Sequence, residues 1–331
     1  MNGVPEHDPL HIESSGTPEE WDAAGARFAP SEAPQLWPDP EPAPRNGGPV
    51  YLPPVPLEPA PRPTRVPNFG HLILFGLLLG LGAACAGTLT AFALHQHWFG
   101  IQTVQAAKTD VHYTLGSEAI LYLITFIACL LIFPLVWRRG FFEGLQWNGM
   151  VAMRRHRTLL SAAVICFILA LLSEYLMPGP TNAPIDRLFR SPGAAWLLFA
   201  FGVTFAPFFE EMIFRGFLLP AICTSCDWIE EKIRHEEPPP LYADGHPQWS
   251  FPAMVFGAVA TSIPFALLHA PQTGNSLGPF VLLTVVSLVL CWARLSTRSL
   301  AASVFVHATY NFMIFTLTLI GTEGFRHMHR M

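Results

Sequence analysis

Charged side chains are scarce in this sequence. Asp, Glu, Lys and Arg together make up 13% of its 331 residues, whereas hydrophobic residues make up 51%. A soluble domain usually carries about 25% charged residues, so much of the chain is suited to surroundings without bulk water. The formal net charge is −5, whereas nucleic-acid-binding proteins usually carry an excess of basic residues. We therefore expect a membrane protein with no nucleic-acid partner.

Residues 1–66 lack the apolar segment of a cleavable signal peptide. They are instead dense in Pro, Glu, Asp and Ala, with almost no apolar periodicity. Such a segment cannot bury enough apolar surface to offset the entropy that it would lose on folding. We predict that residues 1–66 form a disordered, Pro-rich cytoplasmic tail.

From Phe69 onward, long apolar runs replace this composition. A helix needs about 20 residues to cross a hydrocarbon core of about 30 Å, and a helix satisfies its own backbone hydrogen bonds in lipid. The apolar runs cover residues 72–94, 117–136, 159–177, 193–209, 251–268, 277–293 and 300–320. The sequence thus predicts an all-α fold, a polytopic transmembrane helix bundle of about seven spans.

Basic residues between the runs indicate an orientation, because Lys and Arg in short loops favour the cytoplasmic side. Most of them fall on one side if the N-terminus is cytoplasmic. This set is Arg62, Arg65, Arg138, Arg139, Arg154, Arg155, Arg157, Lys232, Arg234, Arg294 and Arg298. We predict an integral membrane protein with a cytoplasmic N-terminus and the lipid bilayer as its surroundings.

Two adjacent glutamates, Glu210 and Glu211, follow the fourth apolar run, and Arg215 comes four residues after Glu211. On a helix this spacing puts Glu211 and Arg215 on one face, where they can pair. Glu210 is rotated by about 100° from Glu211 and lacks that partner, which leaves it free for proton chemistry. A cluster of interfacial charges that ends a span is the alternative interpretation.

Three further polar residues lie in later apolar runs: His269 in a Phe265-to-Pro271 segment, and His307 with Asn311 in the last run. His307 and Asn311 are four residues apart and share a helix face. They are either hydrogen-bonding contacts between helices or two donors aimed at one oxyanion. His269 alone is typical of an interfacial or buried structural histidine. Together with Glu210, the three residues provide the groups of a hydrolytic site: a base, an imidazole that orients water and donors for an oxyanion.

The motifs occur in the order EExxxR, FxxxH and HxxxN, carried by Glu210-Glu211-Arg215, Phe265-His269 and His307-Asn311. In this pattern the chain resembles the CPBP family (CAAX protease and bacteriocin-processing, also called Abi), which includes the type II CAAX prenyl endopeptidases. The resemblance covers roughly residues 155–320 and does not explain the tail or the first two spans. Together with the composition and the apolar runs, it divides the chain into four parts. These are the tail 1–66, two transmembrane helices with a basic cytoplasmic loop at 67–157, a CPBP-like membrane domain at 158–322 and a short C-terminal tail at 323–331.

The resemblance implies an endopeptidase that cleaves a membrane-associated peptide or protein, prenylated or not, in a bacterial inner (plasma) membrane. By similarity, Glu210 activates a water molecule that His269 helps to hold. His307 and Asn311 stabilise the oxyanion of the tetrahedral intermediate. Glu211, Arg215 and Phe265 support the site structurally.

Metal dependence stays open at the level of the sequence. The family is often described as metalloproteases, and a zinc ion would take Glu210, His269 and His307 as its ligands. The HExxH signature of zincins is absent, so we favour metal-free chemistry with no cofactor. Two other functions also remain open: a membrane transporter that uses the buried Glu and His residues as ion sites, and a non-catalytic immunity or scaffold protein that keeps the fold.

Overall fold

The apolar runs of the sequence fold as helices in a computed structural model of the chain, which describes residues 65–179, 192–239, 241–242 and 245–325. About 80% of the structure is helical, and the described residues contain no strand. This confirms the predicted all-α class. Most of the predicted N-terminal tail, and residues 326–331 of the predicted C-terminal tail, lie outside the described residues.

The long helices are separated by short helical turns and loops. Their bounds in chain order are α1 Phe69–His95, α2 Val104–Ala107, α3 Val111–Trp137, α4 Phe141–Gly144, α5 Gly149–Arg154, α6 His156–Leu176, α7 Pro192–Val203, α8 Phe205–Glu211, a π-helix Met212–Leu218, α9 Leu219–Arg234, α10 Phe251–His269, α11 Leu277–Thr297 and α12 Leu300–Gly321. A single 3₁₀ turn, Trp98–Gly100, follows α1.

Among the described residues, seven helical stretches are long and apolar enough to cross a membrane, as predicted. Their outer faces expose large apolar side chains such as Leu77, Leu131 and Leu135. Such surfaces would be unfavourable in water and are suited to contact with lipid tails. The chain is therefore an integral membrane protein.

The fourth span does not end at Phe209, where the apolar run was predicted to stop. Instead, helical structure continues over 42 residues, from Gly193 to Arg234. Its path is interrupted at Thr204, three residues before Pro207, whose ring nitrogen has no hydrogen to donate. A π-helix then follows directly after Glu211. The two glutamates consequently lie in the middle of a long, broken helical segment and not at its end.

The sixth span is also longer than predicted, because α11 continues past Ala293 to Thr297. Arg294, which the sequence suggested as a loop residue, is inside the helix with 1% of its surface exposed. Its Nε donates a hydrogen bond of 3.2 Å to the carbonyl oxygen of Arg215 in the π-helix. Here a buried arginine holds the irregular backbone of a neighbouring helix.

The segments that carry the basic residues meet at one end of the bundle. Ser299 Oγ donates to the carbonyl oxygen of Asn148 at 2.8 Å, which joins the loop before α12 to the loop before α5. Arg65 pairs with Glu231 of α9 at 2.6 Å, so the last residues of the predicted tail pack onto the same end. This arrangement brings together the loops that the charge pattern assigned to one side of the membrane.

The π-helix occupies the centre of the C-terminal half. It contacts α9, α10, α11 and α12, while α8 contacts α12 and α7. The helices that surround it carry the remaining sequence motifs, with His269 at the end of α10 and His307 in α12. The fold thus gathers residues that are nearly 100 positions apart in the sequence around one helical segment.

Candidate active site

Glu211 and Arg215 form the buried base of the site. Both side chains are fully buried, and Arg215 Nη1 donates to Glu211 Oε1 at 2.9 Å. The pairing that the four-residue spacing predicts is therefore present. A charged pair withdrawn from solvent needs further hydrogen bonds to offset its desolvation, and the surrounding helices supply them.

Arg215 is anchored by two neighbouring helices. Its Nη2 donates to both the carbonyl oxygen and the hydroxyl of Ser287 in α11, at 2.9 and 2.5 Å. Its guanidinium also lies over the ring of Phe265 in α10, 4.6 Å from the centroid, as in a cation–π contact. Arg215 thus links α10 and α11 to the π-helix.

Glu210 faces two histidines across short gaps. Its Oε2 is 3.5 Å from His269 Nε2 and 3.8 Å from His307 Nε2. This oxygen is buried and has no hydrogen-bond partner among the described residues. Such a buried acceptor calls for an explanation in a native structure, and a substrate or water molecule bound between these atoms would provide it.

The second nitrogen of each imidazole is held by the protein. His269 Nδ1 lies 2.9 Å from the carbonyl oxygen of Phe265, and His307 Nδ1 lies 2.9 Å from Glu211 Oε1. Since both partners are acceptors, each Nδ1 must carry the hydrogen. The two Nε2 atoms therefore face Glu210, and the hydrogen bonds of the Nδ1 atoms fix the orientation of both rings.

Phe265 connects these parts. Its ring lies 4.8 Å from the His269 ring and 5.8 Å from the His307 ring, measured between centroids. The side chain is 1% exposed. The phenylalanine predicted to support the site thus contacts both imidazoles and the Arg215 guanidinium.

Asn311 is placed on the same face of α12 but its amide is engaged elsewhere. Its Nδ2 donates to the carbonyl oxygen of Gly202 near the end of α7, at 2.8 Å. This bond connects α12 to the break between α7 and α8, and so stabilises the start of the helix that carries Glu210. One hydrogen of the amide group remains for another acceptor.

Sequence reasoning missed three contributors to the site. Ser287 gives no signal because an isolated serine in an apolar helix is ordinary. Glu118 and Tyr122 of α3 could have been identified from the sequence. An ionisable residue inside a membrane helix is a candidate functional residue, and the two residues are four positions apart. Tyr122 Oη donates to Glu118 Oε1 at 2.6 Å, and its ring stacks on Phe209 at 4.3 Å.

The residues proposed as zinc ligands lie slightly further apart than the ligands of a bound zinc ion. Ligands of a tetrahedral zinc at about 2.0 Å are separated from one another by about 3.3 Å, whereas Glu210 Oε2 lies 3.5 Å from His269 Nε2 and 3.8 Å from His307 Nε2. Across the described ranges, no group of three or more His, Cys, Asp or Glu side chains is arranged to hold a metal ion.

Comparison with known proteins gives a family for the part of the chain that carries the motifs. A family model described as Type II CAAX prenyl endopeptidase Rce1-like matches residues 192–313, which run from the start of α7 into α12. No curated protein and no solved structure matches the chain. The family match supports a CAAX-type intramembrane protease in general, and hence a hydrolase. Residues 192–313 thus match the model of the family that the three motifs predicted, the type II CAAX prenyl endopeptidases.

Proposed function

We propose that the protein is an intramembrane endopeptidase that hydrolyses a peptide bond of a membrane-associated peptide or protein, with prenylated CAAX-type peptides among its substrates. The observation that carries the proposal is Glu210. This buried carboxylate has one oxygen without a hydrogen-bond partner among the described residues, and that oxygen faces two oriented imidazoles. A carboxylate so placed is suited to act as a general base.

In the first step, Glu210 Oε2 accepts a proton from a water molecule bound beside it. His269 holds this water through Nε2, which is free to accept its second hydrogen because Nδ1 donates to Phe265. The oxygen of the water attacks the carbonyl carbon of the peptide. Glu210 then passes its proton to the amide nitrogen, and the C–N bond breaks. The proton of the new carboxylic acid moves to the released amine. The products are a carboxylate and an ammonium group.

The tetrahedral intermediate carries a negative oxygen that needs hydrogen-bond donors. His307 Nε2 faces the same point as Glu210 Oε2, and it donates when the ring holds hydrogens on both nitrogens. The Glu211 carboxylate accepts the hydrogen on His307 Nδ1. Asn311 shares the helix face and contributes the amide hydrogen that Gly202 does not use. Glu211 and Arg215 act by fixing His307 and the π-helix.

The proposed chemistry is metal-free, and a zinc-dependent protease is the alternative. Dialysis of the purified protein against a strong chelator distinguishes them. Unchanged cleavage after dialysis supports the glutamate mechanism. Loss of cleavage that is restored by zinc would overturn it.

We also propose that the protein lies in a bacterial inner (plasma) membrane with its N-terminus in the cytoplasm. The support is the cluster of loops at one end of the bundle, joined by the Ser299–Asn148 and Arg65–Glu231 contacts, together with the tendency of Arg and Lys to stay on the cytoplasmic side. The substrate would then be cleaved at or within the bilayer.

A cleavage assay in lipid vesicles tests the proposed function. Wild type, Glu210→Ala and His307→Ala are reconstituted and given a quenched, farnesylated CAAX-type peptide beside its non-prenylated counterpart. Glu174→Ala is the control, because this carboxylate is exposed on α6 and takes no part in the mechanism. We expect cleavage by wild type and the control, and none by the two site variants. Full cleavage by Glu210→Ala would refute its role, and no cleavage by wild type would favour a transporter or a non-catalytic scaffold.

A further inference from the structure

Glu118 is the only acidic residue within the 27 residues of α3, a helix that lies outside the segment matched by the family model. A carboxylate inside a membrane-spanning helix is costly and is retained where it has a partner or a task. Its Oε1 accepts the hydroxyl of Tyr122 at 2.6 Å. Its Oε2 has no hydrogen-bond partner among the described residues, although the side chain is only partly exposed.

Tyr122 connects Glu118 to the active site. Its ring is nearly parallel to that of Phe209, with centroids 4.3 Å apart and an interplanar angle of 9°, and Phe209 is the residue that precedes Glu210. The Tyr122 ring also stacks on Phe201, at 6.0 Å. The stacked tyrosine therefore fixes the position of Glu118 relative to the helical segment that carries the proposed base.

Glu118 is close enough to the active-site residues to interact with them electrostatically. Its negative charge is repelled by that of Glu210. Two carboxylates that share a site disfavour each other unless a proton or a positively charged group comes between them. A positively charged or N–H-bearing part of the substrate placed between the two carboxylates would relieve this repulsion.

The chemistry of hydrolysis indicates which part of the substrate Glu118 would bind. An ionised carboxylate only accepts hydrogen bonds, so Glu118 would repel the oxyanion that forms on the carbonyl side. The nitrogen side is an N–H donor before cleavage and becomes an ammonium group after it. A carboxylate binds that group favourably, since hydrogen bonds between charged partners are stronger than neutral ones.

We propose that Glu118, oriented by Tyr122, binds the nitrogen side of the scissile peptide bond and then pairs with the new ammonium group of the released fragment. This inference rests on the proposed peptidase function. It assigns a substrate-binding residue to a helix outside the family segment, so that α3 completes the active site.

Product inhibition provides the test. The probes are the tripeptide Val-Ile-Met, which cleavage of a farnesylated peptide ending in Cys-Val-Ile-Met releases, and the same tripeptide with an acetylated amino terminus. Their inhibition constants are measured against wild type, Glu118→Gln and the control Glu174→Gln. Gln keeps the size of Glu and still accepts the Tyr122 hydroxyl, so the variant tests the negative charge.

We expect the free tripeptide to inhibit wild type and Glu174→Gln about tenfold more strongly than the acetylated one, as one charge-assisted hydrogen bond implies. In Glu118→Gln this ratio should fall to about one. In Tyr122→Phe, which keeps the ring stack, an intermediate ratio is expected because the carboxylate loses its orientation. A ratio that stays the same in Glu118→Gln would overturn the inference, even if that variant cleaves more slowly.

Direct binding of the two tripeptides to the same proteins separates this inference from the proposed function. If wild type cleaves and the binding ratio does not depend on Glu118, the peptidase stands and the inference fails. If wild type does not cleave but binds the free tripeptide more tightly than the acetylated one, and only with Glu118 intact, the ammonium site stands and the peptidase fails. Equal binding of both tripeptides to wild type contradicts the inference in either case.

Discussion

At the scale of single residues, two adjacent glutamates have different surroundings. Glu211 is fully buried and bound to Arg215 and His307. Each carboxylate has an Oε2 atom without a hydrogen-bond partner among the described residues. Only that of Glu210, one position earlier, is reported beside the Nε2 atoms of His269 and His307, at 3.5 and 3.8 Å. The cause is the helical rotation of about 100° per residue. Under the proposed mechanism, Glu211 supports the structure and Glu210 acts as the base.

Arg215→Ala should destabilise the protein strongly. The substitution leaves the Glu211 carboxylate buried without its main cation, and breaking a buried pair in this way costs about 3–5 kcal/mol. Thermal unfolding of the detergent-solubilised protein measures the effect. Arg215→Lys keeps the charge but not the fork that reaches both Glu211 and Ser287, so we expect it to unfold between wild type and Arg215→Ala. A melting temperature of Arg215→Ala close to that of wild type would contradict a structural role.

The residues of the site were predictable where they carry charge or fall in a motif. Glu210 and His269 directly follow apolar runs and His307 lies within one, and the structure brings the three together. Ser287 was not predictable, because only tertiary packing puts its carbonyl and hydroxyl next to Arg215. Glu118 could have been found, since it is an acid with a tyrosine four residues later in a membrane helix.

At the scale of helices, the seven spans follow from their apolar runs, but the fourth was predicted too short. The stretch Glu210 to Arg215 lowers the local hydropathy, so the run was predicted to stop at Phe209. In the structure, Arg215 donates to Glu211 and Ser287, and this pairing offsets part of the cost of continuing the helix through charged residues. Hydropathy along a sequence does not register such pairing between helices.

The contact between α7 and α12 supplies a test at this scale. A Cβ added at Gly202 would lie 2.8 and 3.0 Å from two ring atoms of Phe315, so Gly202→Ala must push the helices apart or displace the ring. The hydrogen bond from Asn311 to the Gly202 carbonyl should weaken with it. We expect a lower melting temperature and slower cleavage.

Gly193→Ala is the matched control on the same helix. A Cβ at Gly193 meets nothing within 4 Å, and Ala favours a helix over Gly by up to about 1 kcal/mol. This variant should be as stable as wild type or slightly more so. Equal melting temperatures and rates for the two alanine variants would show that the close approach at Gly202 is unimportant.

At the scale of the whole molecule, the family segment alone does not account for the site. Residues 192–313 supply the motifs, whereas α3 lies before them and provides Tyr122 and Glu118. The α1 and α3 helices also pack against each other. The first part of the chain therefore takes part in forming the active-site region as well as crossing the membrane.

Seven spans predict that the two termini of the chain lie on opposite sides of the membrane. With the N-terminus in the cytoplasm, the charge pattern predicts that the loops next to Arg138, Arg155 and Arg298 are also cytoplasmic. The Arg155–Ser296 and Ser299–Asn148 hydrogen bonds require that the loops before α6 and α12 lie on the same side. The orientation is measured by fusing, to each terminus in turn, a reporter that is active only in the cytoplasm. Activity at the N-terminus alone is the expected result, and activity at the C-terminus alone would reverse the proposed orientation.

The most direct test of the mechanism is the single-turnover cleavage rate of Glu210→Gln at saturating farnesylated peptide, together with its affinity for that peptide. Gln has the shape of Glu but cannot take a proton from water, and loss of a general base slows a reaction about 10²- to 10⁴-fold. We expect that loss of rate with affinity within a few fold of wild type, while Glu174→Gln cleaves normally. A Glu210→Gln rate within a few fold of wild type would contradict water activation by Glu210.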